Sequence, residues 1–265
     1  MEFGKNYTKY WKSTVNKSVD GTIIAGVEEA KIFLQLLEIE KNNSVLDLGC
    51  SFGRMHEALA FYSDKVIGID PDQYAVDQAN QKPYLNVSKG SAENTGLKKD
   101  SFNVVFCWAV FDVVSHNEGL REINRILKKG GKLLLSGKND NYFIDDNLAF
   151  KAEKNAYLKE YPNKFTNLSD ILSNFEFFGF KLDKLYIFPR RGDMGKINFK
   201  EQSNVIKDAY IGYEYVILCH KVKDTDTNNL IGKSFDSPFS KSAVEIANQK
   251  GYLSPNDLFN SIGID

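Results

Sequence analysis

Short apolar runs alternate with amphipathic segments along the first half of the chain. Each run is apolar throughout, which is typical of a strand buried on both faces of a sheet. The intervening segments place apolar residues at helical spacing, as Met55, Leu59 and Ala60 do after Gly53. This alternation predicts a mostly parallel sheet with helices on both faces. The predicted strands are Val45–Leu48, Val66–Asp70, Leu85–Ser88, Val104–Trp108 and Lys132–Ser136, and the predicted helices begin after Gly53, at Pro71 and at Glu118.

The pattern changes after the fifth predicted strand. Asp140–Pro162 is polar with interspersed aromatic residues, which predicts an inserted helix or a lid. Leu168–Phe178 has the spacing of a helix. Two further strands are predicted at Lys181–Phe188 and Tyr213–Cys219, joined by the long connection Pro189–Gly212.

The last forty or so residues predict an extension beyond the main domain. The polar run Asp224–Asn229 is typical of a linker. Two short helices are predicted after it, at Ser242–Gln249 and Pro255–Ser261, with Ser254 as the cap of the second. We therefore divide the chain into a domain at 1–223, with an N-terminal cover at 1–40 and a lid-like insertion at 140–165, and an extension at 224–265.

Composition narrows the class of protein. The chain has 265 residues and a formal net charge of −1, so no general electrostatic attraction to nucleic acid or to an anionic membrane is expected. No apolar run reaches the ~20 residues that a membrane-spanning helix needs. Three cysteines lie in apolar or motif segments, which favours buried thiols and a cytoplasmic location. No ligand spacing indicates a metal site.

The run Val45–Arg54 places an acid and small residues at the end of a buried strand. Gly49 and Gly53 permit backbone conformations that let a ligand lie against the main chain. A dinucleotide site has three glycines in the pattern G-x-G-x-x-G, but here the second is Ser51 and the third is Arg54. Both this glycine spacing and the acid Asp47, just before the turn, therefore argue against a nicotinamide oxidoreductase.

Two acids indicate the ligand. Asp47, just before the turn, would repel a pyrophosphate but attract an ammonium or sulfonium group. Asp70 ends the second predicted strand and offers two acceptor oxygens to the hydroxyls of a ribose. A ligand with a ribose, an amino group and a positive charge, but no phosphate, is S-adenosylmethionine.

Four blocks at family spacing resemble the class I S-adenosylmethionine-dependent methyltransferases, closest to the small-molecule branch of ubiquinone and menaquinone biosynthesis. They are Val45–Arg54, Val66–Asp72, Gly90–Trp108 and Arg121–Leu135. The resemblance covers roughly residues 40–220 and implies a Rossmann-like α/β fold. Its sheet is seven-stranded and mostly parallel, with helices on both faces, and its last strand lies antiparallel between the fifth and sixth. A C-terminal helical extension follows.

The resemblance also implies which residues contact the cofactor. The loop after the third strand carries Ser91, Ala92 and Glu93, which are expected beside the adenine ring. Cys107 and Trp108 are expected along the methionine moiety, although the Trp108 ring also suits a core position. Tyr10 is expected to fold over the site together with Tyr7 and Trp11. The full predicted set is Tyr10, Asp47, Gly49, Ser51, Gly53, Arg54, Asp70, Pro71, Ser91, Ala92, Glu93, Cys107 and Trp108, and the product is S-adenosylhomocysteine.

The catalytic base is the least determined part of the prediction. Where many relatives have Glu-His after the fourth strand, this chain has Asp112-Val113. His116 lies just beyond, and a histidine suits proton transfer near neutral pH. We name His116 as the first candidate base and Asp112 as the second, and we leave open a reaction without a dedicated base.

The acceptor is predicted from two adjacent arginines. Arg190 and Arg191 lie in the connection expected beside the crevice, and arginine forks suit phosphate or carboxylate groups. With Tyr142 they form the predicted acceptor site, for an anionic small molecule such as a phosphorylated or nucleotide-linked metabolite of cell-surface glycan biosynthesis. The alternative interpretation is that the two arginines lie in a solvated loop and bind no acceptor. An alternative function stays open, in which the protein has no catalytic activity and binds the cofactor or serves as a partner in an assembly. We expect the protein to be a monomer or a homodimer.

Overall fold

A computed structural model describes residues 30–83, 85–161, 163–194, 200–201 and 210–263 of the protein. Within these ranges one sheet has eight strands in the order β3-β2-β1-β4-β5-β9-β7-β8. The strands are β1 (Ser44–Leu48), β2 (Lys65–Asp70), β3 (Val87–Lys89), β4 (Phe102–Cys107), β5 (Leu127–Lys138), β7 (Phe180–Phe188), β8 (Lys200–Glu201) and β9 (Glu214–Lys221). A separate pair consists of β6 (Phe165–Thr166) and β10 (Asp236–Ser237).

The first five strands are parallel to one another, and β9 runs antiparallel between β5 and β7. This arrangement confirms the predicted seven-stranded sheet with its antiparallel last strand. The two-residue strand β8 adds an edge that was not predicted. Because the first five strands are parallel, their carboxyl ends meet at one edge of the sheet, which is where ligands bind in open α/β folds.

Helices cover both faces of this sheet. They are α1 (His56–Tyr62), α2 (Gln73–Ala79), α3 (His116–Ile126), α4 (Asn147–Leu158), α5 (Leu168–Ser173), α6 (Phe175–Phe178), α7 (Lys241–Gln249) and α8 (Pro255–Ile262). Single 3₁₀ turns occur at Gln35–Leu37, Phe111–Val113 and Asn228–Leu230. The helix predicted at Leu168–Phe178 is in fact two helices, because the chain leaves helical geometry at Asn174.

Alternating side chains of the strands fill two cores. In β4, Val105 faces one core while Val104 and Phe106 face the other. The first core is closed by α3, α5 and α6, and the second by residues 30–37 and α1. Strands that are apolar on both faces therefore encode this three-layer packing directly.

The C-terminal extension packs onto the domain. The stretch predicted as a linker is held by ion pairs from Asp224 to Lys99 and Lys221, at 2.5 and 2.9 Å. Leu230 and Phe235 then enter the first core, and β10 pairs with β6. Both extension helices form as predicted, and Ser254 caps α8. They pack on α4 through an apolar cluster, so the insertion and the extension share one core.

Candidate functional site

The glycine turn after β1 forms the base of the candidate site. The main-chain N–H groups of Gly49 and Cys50 both donate to the carbonyl oxygen of Ile69, at 2.8 and 3.0 Å. Gly49 has φ +73°, and a Cβ at this position would overlap the side chain of Val110. Ser51 also adopts a left-handed conformation, with φ +50°. The turn thus presents bare main chain at the carboxyl end of β1.

Asp47 is a buried carboxylate beneath this turn. Its side chain is 3% exposed, and its Oδ2 atom accepts no hydrogen bond from the described residues. Burial raises the pKa of Asp47 to about 7, although Arg54 acts to lower it. A buried carboxylate without a partner is costly, so this oxygen suits a ligand that brings its own positive charge. The ammonium group of S-adenosylmethionine fits that requirement.

Asp70 is held at the end of β2 by the turn itself. Its two oxygens accept hydrogen bonds from the main-chain N–H groups of Ser51 and Asp72, each at 2.9 Å. Burial raises its pKa to about 6, and these two hydrogen bonds limit the rise. Each carboxylate oxygen has further lone pairs, so Asp70 can also accept the hydroxyl groups of a ribose.

The loop after β3 closes the site from the side. A cavity of about 20 Å³ is lined by Gly49 and Val110 on one side and by Pro71, Ala92 and Glu93 on the other. The structure therefore places three more of the predicted cofactor residues beside the glycine turn. In the same loop, Ser91 forms a tight turn with Asn94, with N···O distances of 3.1 and 3.2 Å.

Glu93 has one contact that was not predicted. Its Oε1 atom accepts a hydrogen bond from the main-chain N–H of Ser115, at 2.9 Å, just before α3 begins. This contact fixes the orientation of the carboxylate, which was expected to accept a hydrogen bond from the adenine amine. The adenine contact itself stays a prediction.

After β4, the Trp108 ring takes the core position that the sequence analysis left open for it. Its indole is 5% exposed and lies parallel to the ring of Phe106, with centroids 6.0 Å apart, and 5.5 Å from the ring of Phe33. The side chain therefore belongs to the second core, and the carbonyl oxygen of Trp108 meets the guanidinium of Arg54 at 3.5 Å. Cys107 is fully buried, and burial raises its pKa. Both side chains are buried, and contact of Cys107 and Trp108 with the methionine moiety stays a prediction.

His116 is not placed as an acceptor-facing base. Its ring is fully buried, and its Nδ1 donates to the carbonyl oxygen of Val114 at 2.9 Å. Its Nε2 lies 2.6 Å from the hydroxyl of Thr166, which is in turn 2.6 Å from the hydroxyl of Tyr215. Because both ring nitrogens have protein partners in the interior, direct contact with an acceptor is excluded in this conformation.

Asp236, from the extension, completes the surroundings of His116. One oxygen accepts a hydrogen bond from the main-chain N–H of His116 at 2.9 Å and lies 3.3 Å from its Nδ1 atom. Burial acts to raise the pKa of Asp236, but the hydrogen bonds from His116 outweigh it and hold that pKa well below its ordinary value. His116 therefore helps to fasten the extension to α3.

Asp112 lies at the carboxyl edge of the sheet, where the site is expected. Its Oδ2 atom forms an ion pair with Lys138 at 2.6 Å. The two side chains are 14% and 20% exposed, so they line a wall and do not extend into solvent. The Lys138 ammonium also donates to the side-chain oxygen of Asn163 at 2.9 Å. Burial acts to lower the pKa of Lys138, but Asp112 and Tyr213 raise it overall, so the lysine is charged.

Lys138 is a functional candidate that the sequence reasoning missed. The predicted fifth strand ended at Ser136, whereas β5 continues to Lys138. A lysine at the carboxyl end of a strand next to β4 was the signal available in the sequence. Extending the strand by one pair of residues would have placed it beside Asp112.

The predicted acceptor residues all have partners within the chain. Tyr142 is 2% exposed and donates to Oε2 of Glu153 at 2.8 Å, so it is not accessible to an acceptor. Arg190 forms an ion pair with Asp145 at 2.9 Å, and the main-chain N–H of Arg191 donates to Asp146 at 2.8 Å. The two arginines thus fasten the start of the insertion. Tyr7, Tyr10 and Trp11 lie outside the described residues.

Over residues 30–83, 85–161, 163–194 and 210–263, no group of three His, Cys, Asp or Glu side chains is placed to hold a metal ion. Among the helices the structure describes, none combines the length and the apolar character that crossing a bilayer requires.

Comparison with known proteins gives concordant matches. Residues 46–135 match a family model for a methyltransferase domain. The ubiquinone biosynthesis O-methyltransferase of Coxiella burnetii is 30% identical over 108 residues, which are 38% of this chain and 46% of that protein. The chain spans about half the length of the curated relatives it matches.

Solved structures share the fold. An S-adenosylmethionine-dependent methyltransferase from Thermotoga maritima superposes with a TM-score of 0.60 at 22% identity, over 82% of this chain and 98% of that one. Geranyl diphosphate C-methyltransferase from Streptomyces coelicolor, solved with S-adenosyl-L-homocysteine, gives a TM-score of 0.55 at 13% identity. That match covers 73% of this chain and 76% of the other.

Proposed function

We propose that this chain is a class I S-adenosylmethionine-dependent methyltransferase and that it transfers a methyl group to an oxygen atom of a small-molecule acceptor. The observation that carries the proposal is Asp47, a buried carboxylate with an unpaired oxygen directly before the glycine turn. Asp47 would hold the amino group of the cofactor, and Asp70 would hold the ribose. Asp70 could hold a ribose in a dinucleotide site too, but Asp47 has no comparable use there, because a pyrophosphate occupies the turn.

The chemistry needs little from the protein beyond alignment. When bound, S-adenosylmethionine supplies an electrophilic methyl carbon: the acceptor lone pair forms the new O–C bond, and the C–S bond breaks with its electrons left on sulfur. The protein aligns the acceptor and excludes water. The remaining task is to receive the proton of the acceptor hydroxyl.

We assign that proton to Asp112 and no longer to His116. Asp112 is at the carboxyl edge of β4, partly exposed, whereas the ring nitrogens of His116 are buried and bonded. A carboxylate within hydrogen-bond reach of a hydroxyl can act as its general base. Loss of this group typically slows a reaction by about 10²–10⁴-fold. Full activity of Asp112→Asn would instead support a reaction without a dedicated base.

The narrower proposal is an anionic acceptor, such as a phosphorylated or nucleotide-linked metabolite of cell-surface glycan biosynthesis. It has support from Arg190 and Arg191, which lie together after β7. Asp145 already neutralises Arg190, and the Arg191 guanidinium lies 3.4 Å from the Tyr213 hydroxyl.

The test is methyl transfer itself. The full-length protein is incubated with S-adenosylmethionine labelled in the methyl group and with separate panels of phenols, sugar nucleotides and amines. We expect label to pass to a hydroxyl compound, with one S-adenosylhomocysteine formed per methyl transferred. Cofactor binding without transfer to any panel would favour the alternative of a non-catalytic partner.

A further inference from the structure

Resting on the proposed function, we propose that Lys138 binds the reacting oxygen of the acceptor and stabilises its negative charge, so that the acceptor class is a phenol or an enol. Such hydroxyl groups carry substantial negative charge on oxygen as they lose their proton. An alcohol on a sugar ring does so far less readily. The inference therefore selects among the oxygen acceptors that the proposed function leaves open.

The position of Lys138 supports this role. It is the last residue of β5 and is paired in register with Glu214 of β9, at the edge where the carboxyl ends of β4 and β5 meet. Phe111–Val113, the 3₁₀ turn that contains Asp112, also contributes Val113 to the cavity beside Gly49. The ammonium is thus on the same edge of the sheet as the predicted cofactor residues.

The hydrogen-bond count of Lys138 leaves capacity for a ligand. An ammonium has three donors, and the contacts to Asp112 and Asn163 use two of them. Asp112 is a suitable neighbour, since it can take the acceptor proton while the lysine holds the oxygen. The pair would act as a base and an oxyanion partner on one hydroxyl group.

The surrounding charges keep Lys138 in the form that the role needs. Asp112 on the 3₁₀ turn and the adjacent residues Tyr213 and Glu214 at the start of β9 all favour the ammonium form of Lys138. The carboxylate of Glu153, on the insertion, is also within electrostatic range. A fixed cation in a partly buried wall attracts an oxyanion more strongly than the same cation in water.

Stability alone is a weak reason for such a pair. A buried ion pair often contributes no more to stability than apolar side chains of the same volume. A purely structural role is the competing explanation, because Asn163 and the main-chain N–H of Lys164 connect the end of the insertion to Lys138 and Asp112. The two explanations differ in what Lys138→Met does to a bound phenol.

The experiment uses 4-nitrophenol, whose ionised form has its own visible absorbance. The probe is titrated with pH on the cofactor-free full chain and again with S-adenosylhomocysteine present. In the wild-type protein and in Lys138→Arg we expect the pKa of the bound probe to fall by about one to three, as expected beside an opposite charge. In Lys138→Met we expect it to return to the value in free solution.

Lys132→Met is the matched control. Lys132 is on the same strand and also forms an ion pair at 2.6 Å, with Glu38, but it lies toward the other edge of the sheet. Its substitution should leave the probe titration unchanged. Thermal unfolding of each variant shows whether it is folded.

Either of two results overturns the inference: no probe binding or no lowered pKa in the wild-type protein, or a folded Lys138→Met variant that titrates like the wild type. Failure of the proposed function is seen separately, since it appears as absence of S-adenosylmethionine binding or of methyl transfer. The probe titration requires neither.

Discussion

Two buried carboxylates of this protein differ in their hydrogen bonding. Under the glycine turn, Asp47 keeps a carboxylate oxygen without a partner, and burial raises its pKa to about 7. Between the insertion and the extension, Glu153 is equally buried, yet it accepts hydrogen bonds from the hydroxyl of Tyr142 and from the main-chain N–H and hydroxyl of Ser240, at 2.7–2.8 Å. The first region is incomplete without a ligand, and the second is complete by itself.

Whether a buried polar group has hydrogen-bond partners within the protein distinguishes functional from structural groups better than the type of residue does. Tyr142 was predicted to bind the acceptor because it is an aromatic residue with a polar tip in the insertion. Its hydroxyl instead completes the Glu153 network. Buried polar groups that are fully satisfied stabilise a single packing, whereas unsatisfied ones mark a place where a ligand is expected.

The largest effect is expected from Glu153→Ala. It leaves the buried hydroxyl groups of Tyr142 and Ser240 and one N–H without an acceptor, which should lower the free energy of unfolding by about 2–4 kcal/mol. Urea unfolding measures this change. Glu245→Ala, at an exposed position of α7, should change it by no more than about 0.5 kcal/mol.

Glu153→Ala should leave the affinity for S-adenosylmethionine unchanged. An equal loss of affinity and stability would contradict the separation of the two regions.

Asp47→Asn should have the opposite pair of effects. The affinity for S-adenosylmethionine should fall by a factor of about 10–150, since a hydrogen bond to a charged group contributes ~1.5–3 kcal/mol. Stability of the cofactor-free protein should rise by up to about 4 kcal/mol at about pH 8, because the substitution removes a buried ionised carboxyl. Calorimetry and urea unfolding measure the two quantities.

Asp64→Asn is the control for that substitution. Its side chain is 76% exposed and pairs only with a surface lysine, Lys41, at 3.6 Å among the described contacts. In this variant neither the affinity for S-adenosylmethionine nor the free energy of unfolding should change. A loss of stability in Asp47→Asn would mean that the carboxylate has a structural partner.

A pH series tests the same charge without a mutation. The pKa of Asp47 is about 7 in the folded protein, above its ordinary value of 3.8. As pH falls below about 7, the folded protein takes up this proton before the unfolded chain does, so the Asp47 contribution to stability rises. Cofactor affinity should fall over the same range, by about tenfold per pH unit, and Asp70 should add to the loss below about pH 6.

In Asp47→Asn the upper part of this pH dependence should be absent. Calorimetric titrations at several pH values measure it. A wild-type affinity that is flat with pH would show that the cofactor does not use the ionised carboxylate.

The smallest effect is expected from Arg190→Ala. The guanidinium is 45% exposed, so its ion pair with Asp145 should contribute little to the free energy of unfolding. Cofactor affinity should not change. Once an acceptor is known, an unchanged KM in this variant and in Arg191→Ala would remove the support that the arginines give to an anionic acceptor.

The part of the site that the sequence predicted is local in the chain. β1, the glycine turn and Asp70 lie within the twenty-seven residues 44–70, and each is determined by its neighbours through φ, spacing and burial. The four blocks then fixed the strand order. Residues predicted from such local patterns come together in the folded protein because the parallel sheet places all of them at one edge.

The features that the sequence did not predict depend on contacts between residues far apart in the chain. His116 is interior because Thr166 and Asp236 meet it, 50 and 120 residues further along the chain. The extension docks through β10 and the shared apolar cluster, neither of which has a signal in its own segment. Lys138 was missed for a simpler reason, since the end of β5 was predicted two residues early.

The central claim is that the chain binds S-adenosylmethionine through the acids at the glycine turn. Thermal unfolding with S-adenosylmethionine, S-adenosylhomocysteine and NADH in separate samples tests it most directly. A ligand at ~100 times its dissociation constant stabilises the folded state by about 2.7 kcal/mol, enough to raise Tm visibly. We predict a rise with the two adenosyl-sulfur compounds and none with NADH. No rise with either adenosyl-sulfur compound, or a rise with NADH, would contradict the account.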